Sequence, residues 1–366
     1  MKVEDYGDDW IIQPVDNYGT PEMIRSVIRA EKIDILWFMT DPRFYEWLWV
    51  IENEIRAHVP MIYYHVWDNY PYPTFNTKWY KGNDCIAAIS KVTDDIVKTL
   101  VPEVQSVYIP HAVDSEIFKP LNDHDRKAFR KQAYEVDDDT LILFWNNRNA
   151  RRKQSGTLIY WFKEFLDKVG HDKAKLIMHT EPEDPHGQDL YAILRELKIL
   201  DGTISISTTK MPPHMLSQLY AGADITINIS DAEGFGLATL ESLNCGTPII
   251  VTMTGGLQEQ VTDGEDNWFG MGIQPASRAI IGSQQVPWIY EDRISKEDFL
   301  ECLTDLYEAG SEERRRLGSM GREHVLKSYN FKDFKKKWVD LMLDLHEKNG
   351  SWETRKNYQN WSLLEL

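Results

Sequence analysis

Short apolar runs alternate with helical repeats along most of the chain, a pattern typical of α/β proteins built on parallel sheets. In the first part, runs rich in β-branched and aromatic residues are separated by segments whose apolar residues recur every three to four positions. Strands are predicted at 10–14, 34–39, 61–65, 85–89 and 104–109. Helices are predicted at 21–31, 43–57 and 91–100, and Thr20 and Ser90 are suitable N-caps for the first and the last.

A second series of strands and helices begins near residue 140. Its predicted strands are 140–145, 176–179, 203–207, 224–229 and 248–252, and amphipathic helices follow from Lys296 onward. Two such series predict two domains, which we place at 1–112 and 113–348. Residues 349–366 follow a break at Gly350 and are predicted to pack back on the first domain.

Composition and charge limit the class of protein. The chain has 366 residues, of which 42% are hydrophobic and 27% are charged, enough for two globular domains. Its net charge of −17 disfavours a nucleic-acid partner, although a local basic groove would still allow one. The sequence has no apolar run long enough to cross a bilayer and no apolar signal region at its N-terminus. We therefore expect a cytoplasmic protein without stable membrane insertion.

Neither the cysteines nor the acidic residues have the spacing of metal ligands. Cys85, Cys245 and Cys302 are far apart, which favours buried packing residues in a reducing compartment. Acidic pairs such as Asp94-Asp95 are expected at the solvated surface. No metal site is therefore predicted.

The segment after the strand at 224–229 carries the sharpest chemical signal. Gly234 and Gly236 let the backbone approach a ligand closely, and the helix that follows presents unpaired N–H groups to an anion. Glu233 precedes this helix, whereas Glu241 lies inside it on an otherwise apolar face, where a ribose diol would be a suitable partner. In the structural alternative, Glu233 is an ordinary charge at a helix start and Glu241 reaches solvent.

Two further features favour the ligand site. Gly255-Gly256 follows the next predicted strand, so a second glycine turn would open at the same carboxyl edge of the sheet, where ligands of parallel sheets bind. The loop after the first strand of the second domain holds four cations in six residues, and Arg148 and Lys153 are predicted to bind a diphosphate. Arg151 and Arg152 are predicted to be solvated, which is the usual state of a charge run.

Five motifs occur in the order found in the retaining GT-B glycosyltransferases of family 4, and the chain resembles that family from about residue 85 to residue 345. In chain order, the motifs are Pro110-His111-Ala112-Val113-Asp114 with Phe118, the loop from Arg148 to Lys153, Glu-Gly-Phe-Gly-Leu at 233–237 followed by Glu241, Cys245-Gly246-Thr247-Pro248-Ile249-Ile250, and Gly255-Gly256-Leu257-Gln258-Glu259.

The resemblance implies a GT-B fold, in which two Rossmann-like domains with parallel sheets face a central cleft. It also implies transfer of a sugar, with retention and without metal or cofactor, from a nucleoside diphosphate sugar of the UDP or GDP type to an unidentified acceptor hydroxyl. Arg148 and Lys153 would bind the diphosphate and stabilise its departure, Glu233 would orient the donor sugar, and Glu241 would hold the ribose. Backbone N–H groups would come from Gly234, Phe235, Gly236 and Leu237 in one turn and from Gly255 and Gly256 in the other.

The family also places a histidine at the end of a first-domain strand, near the donor sugar, and His65 matches that context. A histidine there is more often structural, and Asp68 is a polar alternative. The family's N-terminal glycine-rich loop has no counterpart before Trp10, so the first, acceptor-side domain is expected to be short or truncated. This motivates two alternatives: a sugar-nucleotide-binding protein without transferase activity, and a sugar-nucleotide epimerase of the same architecture.

Overall fold

The computed structural model describes residues 2–3, 7–67 and 72–360. Two parallel sheets, one of four strands and one of six, form the centres of two α/β domains. The predicted fold class is therefore confirmed. Asp68, the polar alternative to His65, lies outside the described residues.

The N-terminal strand differs from the prediction. Strands β1 (Lys2–Val3) and β2 (Gly7–Ile11) pair antiparallel in a two-stranded sheet of their own. The strand predicted at 10–14 is thus displaced toward the N-terminus and belongs to a different sheet from the other first-domain strands. The side chains of Trp10 and Ile11 are 56% and 55% exposed, so this apolar run does not contribute to the core.

The first-domain sheet is parallel, as predicted, and consists of four strands in sequence order. They are β3 (Leu36–Thr40), β4 (Met61–His65), β5 (Cys85–Ala88) and β6 (Gln105–Tyr108). Every residue of β4 is buried, because its alternate side chains enter two separate cores. A strand buried on both faces has a continuous apolar run, which explains why the run at 61–65 was easy to recognise.

Helices surround this sheet, and two of the three predicted ones have the expected bounds. The first-domain helices are α1 (Pro21–Glu31), α2 (Glu46–Val50), α3 (Glu52–Arg56), α4 (Thr77–Lys81) and α5 (Lys91–Leu100). The single helix predicted at 43–57 is wrong: a 3₁₀ turn at Pro42–Tyr45 leads into α2. Ile51, with φ −108° and ψ 14°, then interrupts the helix before α3, although Leu48, Trp49 and Ile55 are buried on both sides of the break.

The second sheet has six parallel strands in the order β12-β11-β10-β7-β8-β9. These strands are β7 (Leu141–Asn146), β8 (Ala174–His179), β9 (Ile204–Ser207), β10 (Ile225–Asn228), β11 (Ile249–Thr252) and β12 (Gly270–Ile273). The five predicted strands of this series match β7 to β11. A hairpin then follows, formed by β13 (Ser277–Ile281) and β14 (Ile289–Arg293), which pair antiparallel.

The helices of the second half cover both faces of this sheet. They are α6 (Asp123–Phe129), α7 (Ser155–Val169), α8 (Leu190–Glu196), α9 (Pro213–Gly222), α10 (Leu237–Asn244), α11 (Gln258–Val261), α12 (Lys296–Glu308), α13 (Gly310–Ser328) and α14 (Phe331–Asn349). The domain is anchored by a buried ion pair in which Arg130, fully buried, donates to Asp224 over 2.9 Å.

The C-terminal helix and tail contact the first domain. Trp338 of α14 packs edge-on against Trp37 and Tyr64, with ring centroids 5.7 Å and 4.9 Å apart. Beyond α14, the Trp352 indole donates to the carbonyl of Ile33 over 2.9 Å. The Arg355 guanidinium pairs with Asp84 over 2.8 Å. The domain boundaries at 112 and 348 remain predictions.

Two general features complete the fold. Across the part of the chain that the structure describes, no helix has the length and apolar character needed to cross a membrane. All three cysteines are free, with Cys85 and Cys245 buried and Cys302 partly buried, as expected for packing residues.

Candidate functional site

A cavity of about 520 Å³ lies between the two domains, at the carboxyl ends of their parallel strands. We call it the interdomain cavity. Its first-domain wall follows β3, β4 and β5, and its second-domain wall follows β7 and β10. It is lined by Met39, Val66, Ile89, His111, Asn146, Asn147, Arg148, Arg152, Lys153, Leu216, Glu233, Gly234, Phe235, Gly236, Leu237, Ala238 and Glu241. Eight of the eleven predicted site residues are therefore brought together here.

The turn after β10 forms the floor of the cavity. Gly236 has φ +94° and is the N-terminal neighbour of α10, without a side-chain cap. A Cβ at this position would approach the Leu257 side chain to 2.6 Å, so the turn needs glycine. Because the first N–H groups of a helix have no intrahelical partner, the start of α10 offers positive potential to an anion in the cavity.

Glu233 forms a buried ion pair beside this turn. Its carboxylate accepts a hydrogen bond from Lys153, and the Arg152 guanidinium lies 3.8 Å away. Burial by itself raises the pKa of Glu233, but the charges of Lys153 and Arg152 outweigh burial, so the pKa is lowered overall and the carboxylate is ionised. Lys153, only 7% exposed, thus lies in the cavity lining as a largely buried cation paired with Glu233.

Arg148 is the exposed first residue of the loop from Arg148 to Lys153, which we call the basic loop. Its side chain is 59% exposed and donates two hydrogen bonds to Asp184, over 2.6 Å and 3.0 Å. The Arg148 hydrogen bonds lower the pKa of Asp184. This pair holds an otherwise mobile guanidinium at the mouth of the cavity.

The expectation that Arg151 and Arg152 are solvated holds for Arg151 only in part and is wrong for Arg152. Arg151 pairs with the buried Glu291 over 2.5 Å and 2.8 Å, although more than half of its side chain remains exposed. Arg152 donates to the carbonyl of Ala232 and lines the cavity. These partners are distant in sequence, so the charge run alone could not reveal them.

Glu241, on α10, lies in the cavity lining. Its carboxylate accepts a hydrogen bond of 2.7 Å from Tyr220, whose hydroxyl also accepts one of 2.7 Å from Asn146. Burial raises the pKa of Glu241 to about 7, against the lowering effect of the Tyr220 hydrogen bond. The Glu241 side chain remains partly exposed, as the structural alternative requires, and it lines the cavity.

The Gly255-Gly256 turn supports the cavity from behind and is not part of its lining. The Gly256 N–H donates to the carbonyl of Glu233 over 3.1 Å, so in this structure it is not available to a ligand. A Cβ on Gly256 would meet Phe235 at 2.6 Å, which shows how closely the two glycine turns pack. The prediction that this turn supplies backbone donors is therefore wrong for Gly256, whose N–H holds the first turn in place, and for Gly255 it stays a prediction.

Glu259, at the end of the same turn, contacts the first domain. Its carboxylate accepts the N–H of Lys91 over 2.8 Å and the hydroxyl of Tyr108 over 2.7 Å. Burial raises the pKa of Glu259, despite the hydrogen bonds from Lys91 and Tyr108. The turn therefore connects the Glu233 motif to the start of α5 and the end of β6.

The structure does not bring His65 to the cavity. Its side chain is fully buried, with Nε2 2.9 Å from the Tyr80 hydroxyl, and burial lowers its pKa to about 3. The physical reason is the pleat of β4: His65 is on the same face as Met61 and Tyr63, which enter the first-domain core. Contact of His65 with a ligand is therefore not supported by its position.

His111 is the histidine that lines the cavity, and the sequence argument missed its role. Its ring packs edge-on against Phe235 at 5.3 Å, and Nδ1 lies 3.0 Å from the Tyr64 hydroxyl. Burial lowers its pKa to about 4, so the imidazole is neutral at physiological pH. The available signal was its place in the Pro110-His111 motif, at the junction between the two series of strands.

Asn147 is a second missed residue. It lies in the cavity lining, and its Nδ2 is buried without a hydrogen-bond partner among the described residues. A buried amide without a partner is costly unless a ligand or water satisfies it. Its place between a strand end and Arg148 could have suggested this role.

Solved structures with the same fold belong to sugar-processing proteins. Sucrose-phosphate synthase from Thermosynechococcus elongatus superposes with a TM-score of 0.70, at 16% identity over 90% of this chain and 77% of that one. The Anabaena protein HepE, in complex with UDP-glucose, gives a TM-score of 0.68 at 15% identity, over 91% of this chain and 84% of that one. At these identities the likeness shows the fold, which is GT-B.

Curated relatives share higher sequence identity with this chain over a shorter stretch. The D-inositol 3-phosphate glycosyltransferase of Acidothermus cellulolyticus is 40% identical over 176 residues, which is 47% of this chain and 38% of that protein. The corresponding protein of Geodermatophilus obscurus is 29% identical over 180 residues, 48% of this chain and 39% of that protein. These matches thus span about two fifths of the relatives' length.

The family model of the glycosyl transferases group 1 matches residues 125–324, more than half of the chain. The matched segment includes α10, the loop from Arg148 to Lys153 and the turn from Glu233 to Leu237, which contribute to the second-domain wall of the interdomain cavity, and also the supporting Gly255-Gly256 turn. The chain belongs to the glycosyl transferases group 1.

Proposed function

We propose that this protein transfers a glycosyl group from a nucleoside diphosphate sugar to an acceptor hydroxyl, with retention at the anomeric carbon and without a metal ion. The observation that carries the proposal is the convergence of Arg148, Arg152 and Lys153 with the N-terminus of α10 on one cavity. A chain with a net charge of −17 concentrates cations here, which suits a diphosphate. Among the described residues, no group of three or more metal-ligating side chains is found.

The donor would lie with its diphosphate between the basic loop and the start of α10. Lys153 and Arg148 would stabilise the charge that develops on the departing diphosphate, and the Asn147 amide would gain an acceptor. Glu241 would receive the ribose hydroxyls, and Glu233, held ionised by Lys153, would orient the sugar. An acceptor oxygen then bonds to the anomeric carbon as the bond from that carbon to the diphosphate breaks, and the hydroxyl proton is released.

UDP is the first nucleotide to test, because the solved structures of HepE contain UDP or UDP-glucose. The relatives' names give D-inositol 3-phosphate as the compound on which they act, and it is one acceptor to test here. Localisation in the cytoplasm is part of the same proposal, since nucleotide sugars would be supplied there.

Calorimetry with UDP and GDP, followed by mass spectrometry of products from a panel of UDP- and GDP-sugars, tests the proposal. Binding together with donor hydrolysis, or with transfer to an added acceptor, supports a transferase. Binding without either reaction would favour a binding protein, and release of a free epimerised sugar would favour an epimerase. Absence of nucleotide binding would contradict all three.

A further inference from the structure

The β13–β14 hairpin connects the motif at the interdomain cavity with the first domain. At its base, the N–H of Asp292 donates to the carbonyl of Asp231 over 2.8 Å, and the Asp292 carboxylate accepts the hydroxyl of Thr254 over 2.8 Å. At its tip, Val286 is buried in the first-domain core, and Trp288 packs edge-on against Phe75 with centroids 5.4 Å apart. The hairpin thus reaches across from one domain to the other.

A second cavity, which we call the hairpin cavity, lies between this tip and the first domain. Its volume is about 320 Å³, within the range of about 300–1,000 Å³ typical of small-ligand pockets. Residues that are neighbours in sequence, at the ends of β3 and β4, line this cavity and the interdomain cavity. Met39 and Val66 line the interdomain cavity, whereas Asp41 and Trp67 line the hairpin cavity.

The walls of the hairpin cavity combine aromatic rings with planar polar groups. Trp67 and Phe75 pack edge-on, with centroids 5.8 Å apart, and Trp79 is half-buried beside them. Asn76, only 4% exposed, and the exposed Gln284 and Gln285 add amide donors and acceptors. Aromatic faces suit the apolar face of a sugar ring, and amides suit its hydroxyls, which both donate and accept.

The charges around the hairpin cavity argue against an anionic ligand. Asp41 and Glu46 are balanced by Arg43 and Lys78, and Asp41 pairs directly with Arg43 over 3.3 Å. The Lys78 ammonium lies 3.8 Å from the centre of the Trp79 ring. The interdomain cavity, by contrast, has an excess of cations. The charge of the interdomain cavity therefore suits a diphosphate, and that of the hairpin cavity suits a neutral polyol.

We propose that the hairpin cavity binds a neutral saccharide, which is the acceptor of the transfer. This inference rests on the proposed function. One hydroxyl oxygen of the bound saccharide, facing the interdomain cavity, forms the bond to the anomeric carbon of the donor. The diphosphate leaves with the electron pair of the broken bond, and the acceptor proton is released to solvent. The hairpin belongs to the second domain, which would hold the donor, and its tip would select the acceptor.

Saturation-transfer NMR on the full chain tests this binding directly. The probes are the methyl α- and β-glycosides of glucose, galactose, mannose and N-acetylglucosamine, each measured with and without UDP, and inositol 3-phosphate as the anionic comparison. We expect at least one glycoside to bind more tightly than inositol 3-phosphate. The Q284A/Q285A double variant should weaken that binding about five-fold or more, since it removes hydrogen-bonding groups from the tip. Both glutamines are exposed, so folding should be unaffected.

The control is Gln132→Ala, at an exposed position in a helical turn that lines neither cavity, and it should leave glycoside and UDP binding unchanged. No glycoside signal in either condition would overturn the inference, as would equal binding by the double variant or a preference for inositol 3-phosphate. UDP binding without any glycoside binding would contradict this inference alone. Hairpin-dependent glycoside binding without any nucleotide binding would contradict the proposed transferase and leave a saccharide site.

Discussion

Replacement of Glu241 by glutamine should affect stability and ligand binding in opposite directions. Burial raises the pKa of this carboxyl from 4.5 to about 7. Between these two pH values the folded chain retains a proton that the unfolded chain has released, so stability falls as pH rises through this window. At about 1.4 kcal/mol per pKa unit, ionised Glu241 costs the free protein about 3 kcal/mol at most above pH 7.

Glu241→Gln removes this cost while retaining an oxygen that can accept the Tyr220 hydroxyl. Urea unfolding at pH 8 should therefore show a variant more stable than wild type by about 1–3 kcal/mol, and the difference should vanish near pH 4. UDP affinity at pH 8 should fall about ten-fold, because charge-assisted hydrogen bonds to the ribose hydroxyls are lost. In the wild type, UDP affinity should weaken as the pH falls below about 7.

Glu347→Gln is the matched control, since Glu347 is exposed on the C-terminal helix α14. It should change neither stability nor UDP affinity. A Glu241→Gln variant that is less stable than wild type at pH 8, or that binds UDP equally well, would refute the reasoning. The first result would mean that burial does not penalise this carboxylate, and the second that it does not contact the nucleotide.

The remaining predictions concern the basic loop, the structural ion pair and the glycine turn. Arg148→Ala should reduce turnover about a hundred-fold without lowering the melting temperature, because its side chain is largely exposed; equal losses of activity and stability would argue against a role at the diphosphate. Asp224→Asn should destabilise the chain by about 3–5 kcal/mol in urea, because it leaves buried Arg130 without its counter-charge, and a loss below about 1 kcal/mol would contradict that account. Gly236→Ala should lower both stability and UDP affinity, whereas Gly202→Ala, at φ +86° with open space around it, should affect stability alone; similar effects on UDP affinity would show that the turn does not shape the site.

Much of the fold could be predicted because the central strands are buried on both faces. In β7, Leu141, Leu143 and Trp145 enter one core, while Ile142 and Phe144 enter another. Such a strand forms a continuous apolar run that is visible in the sequence. The hairpin was missed because β13 and β14 are mostly half-exposed and lack this signal. Its position depends on contacts distant in sequence, such as that between Arg151 and Glu291.

The candidate site was predictable where a single motif determines both the backbone geometry and the groups that contact a ligand. The turn from Glu233 to Leu237 needs glycine for its geometry and offers its N–H groups to a ligand, so the sequence indicated both. His65 shows where such reasoning fails. Because both faces of β4 are apolar, the sequence does not show which parity faces the cleft, and His65 faces the core while Val66 lines the cavity. His111 stands in a motif that the sequence showed, but its place in the cavity lining depends on how the two domains meet.

The contacts of Glu259 limit how this protein can be recombined with its relatives. Exchanging the donor-binding half for that of another family member would leave the first-domain partners of Glu259, the Lys91 N–H and the Tyr108 hydroxyl, facing a foreign turn. Because Gly256 of that turn also bonds to Glu233, a poor fit at the junction would reach the ligand motif itself. Chimaeras of this protein should therefore keep Tyr108 and the turn from Gly255 to Glu259 from the same parent.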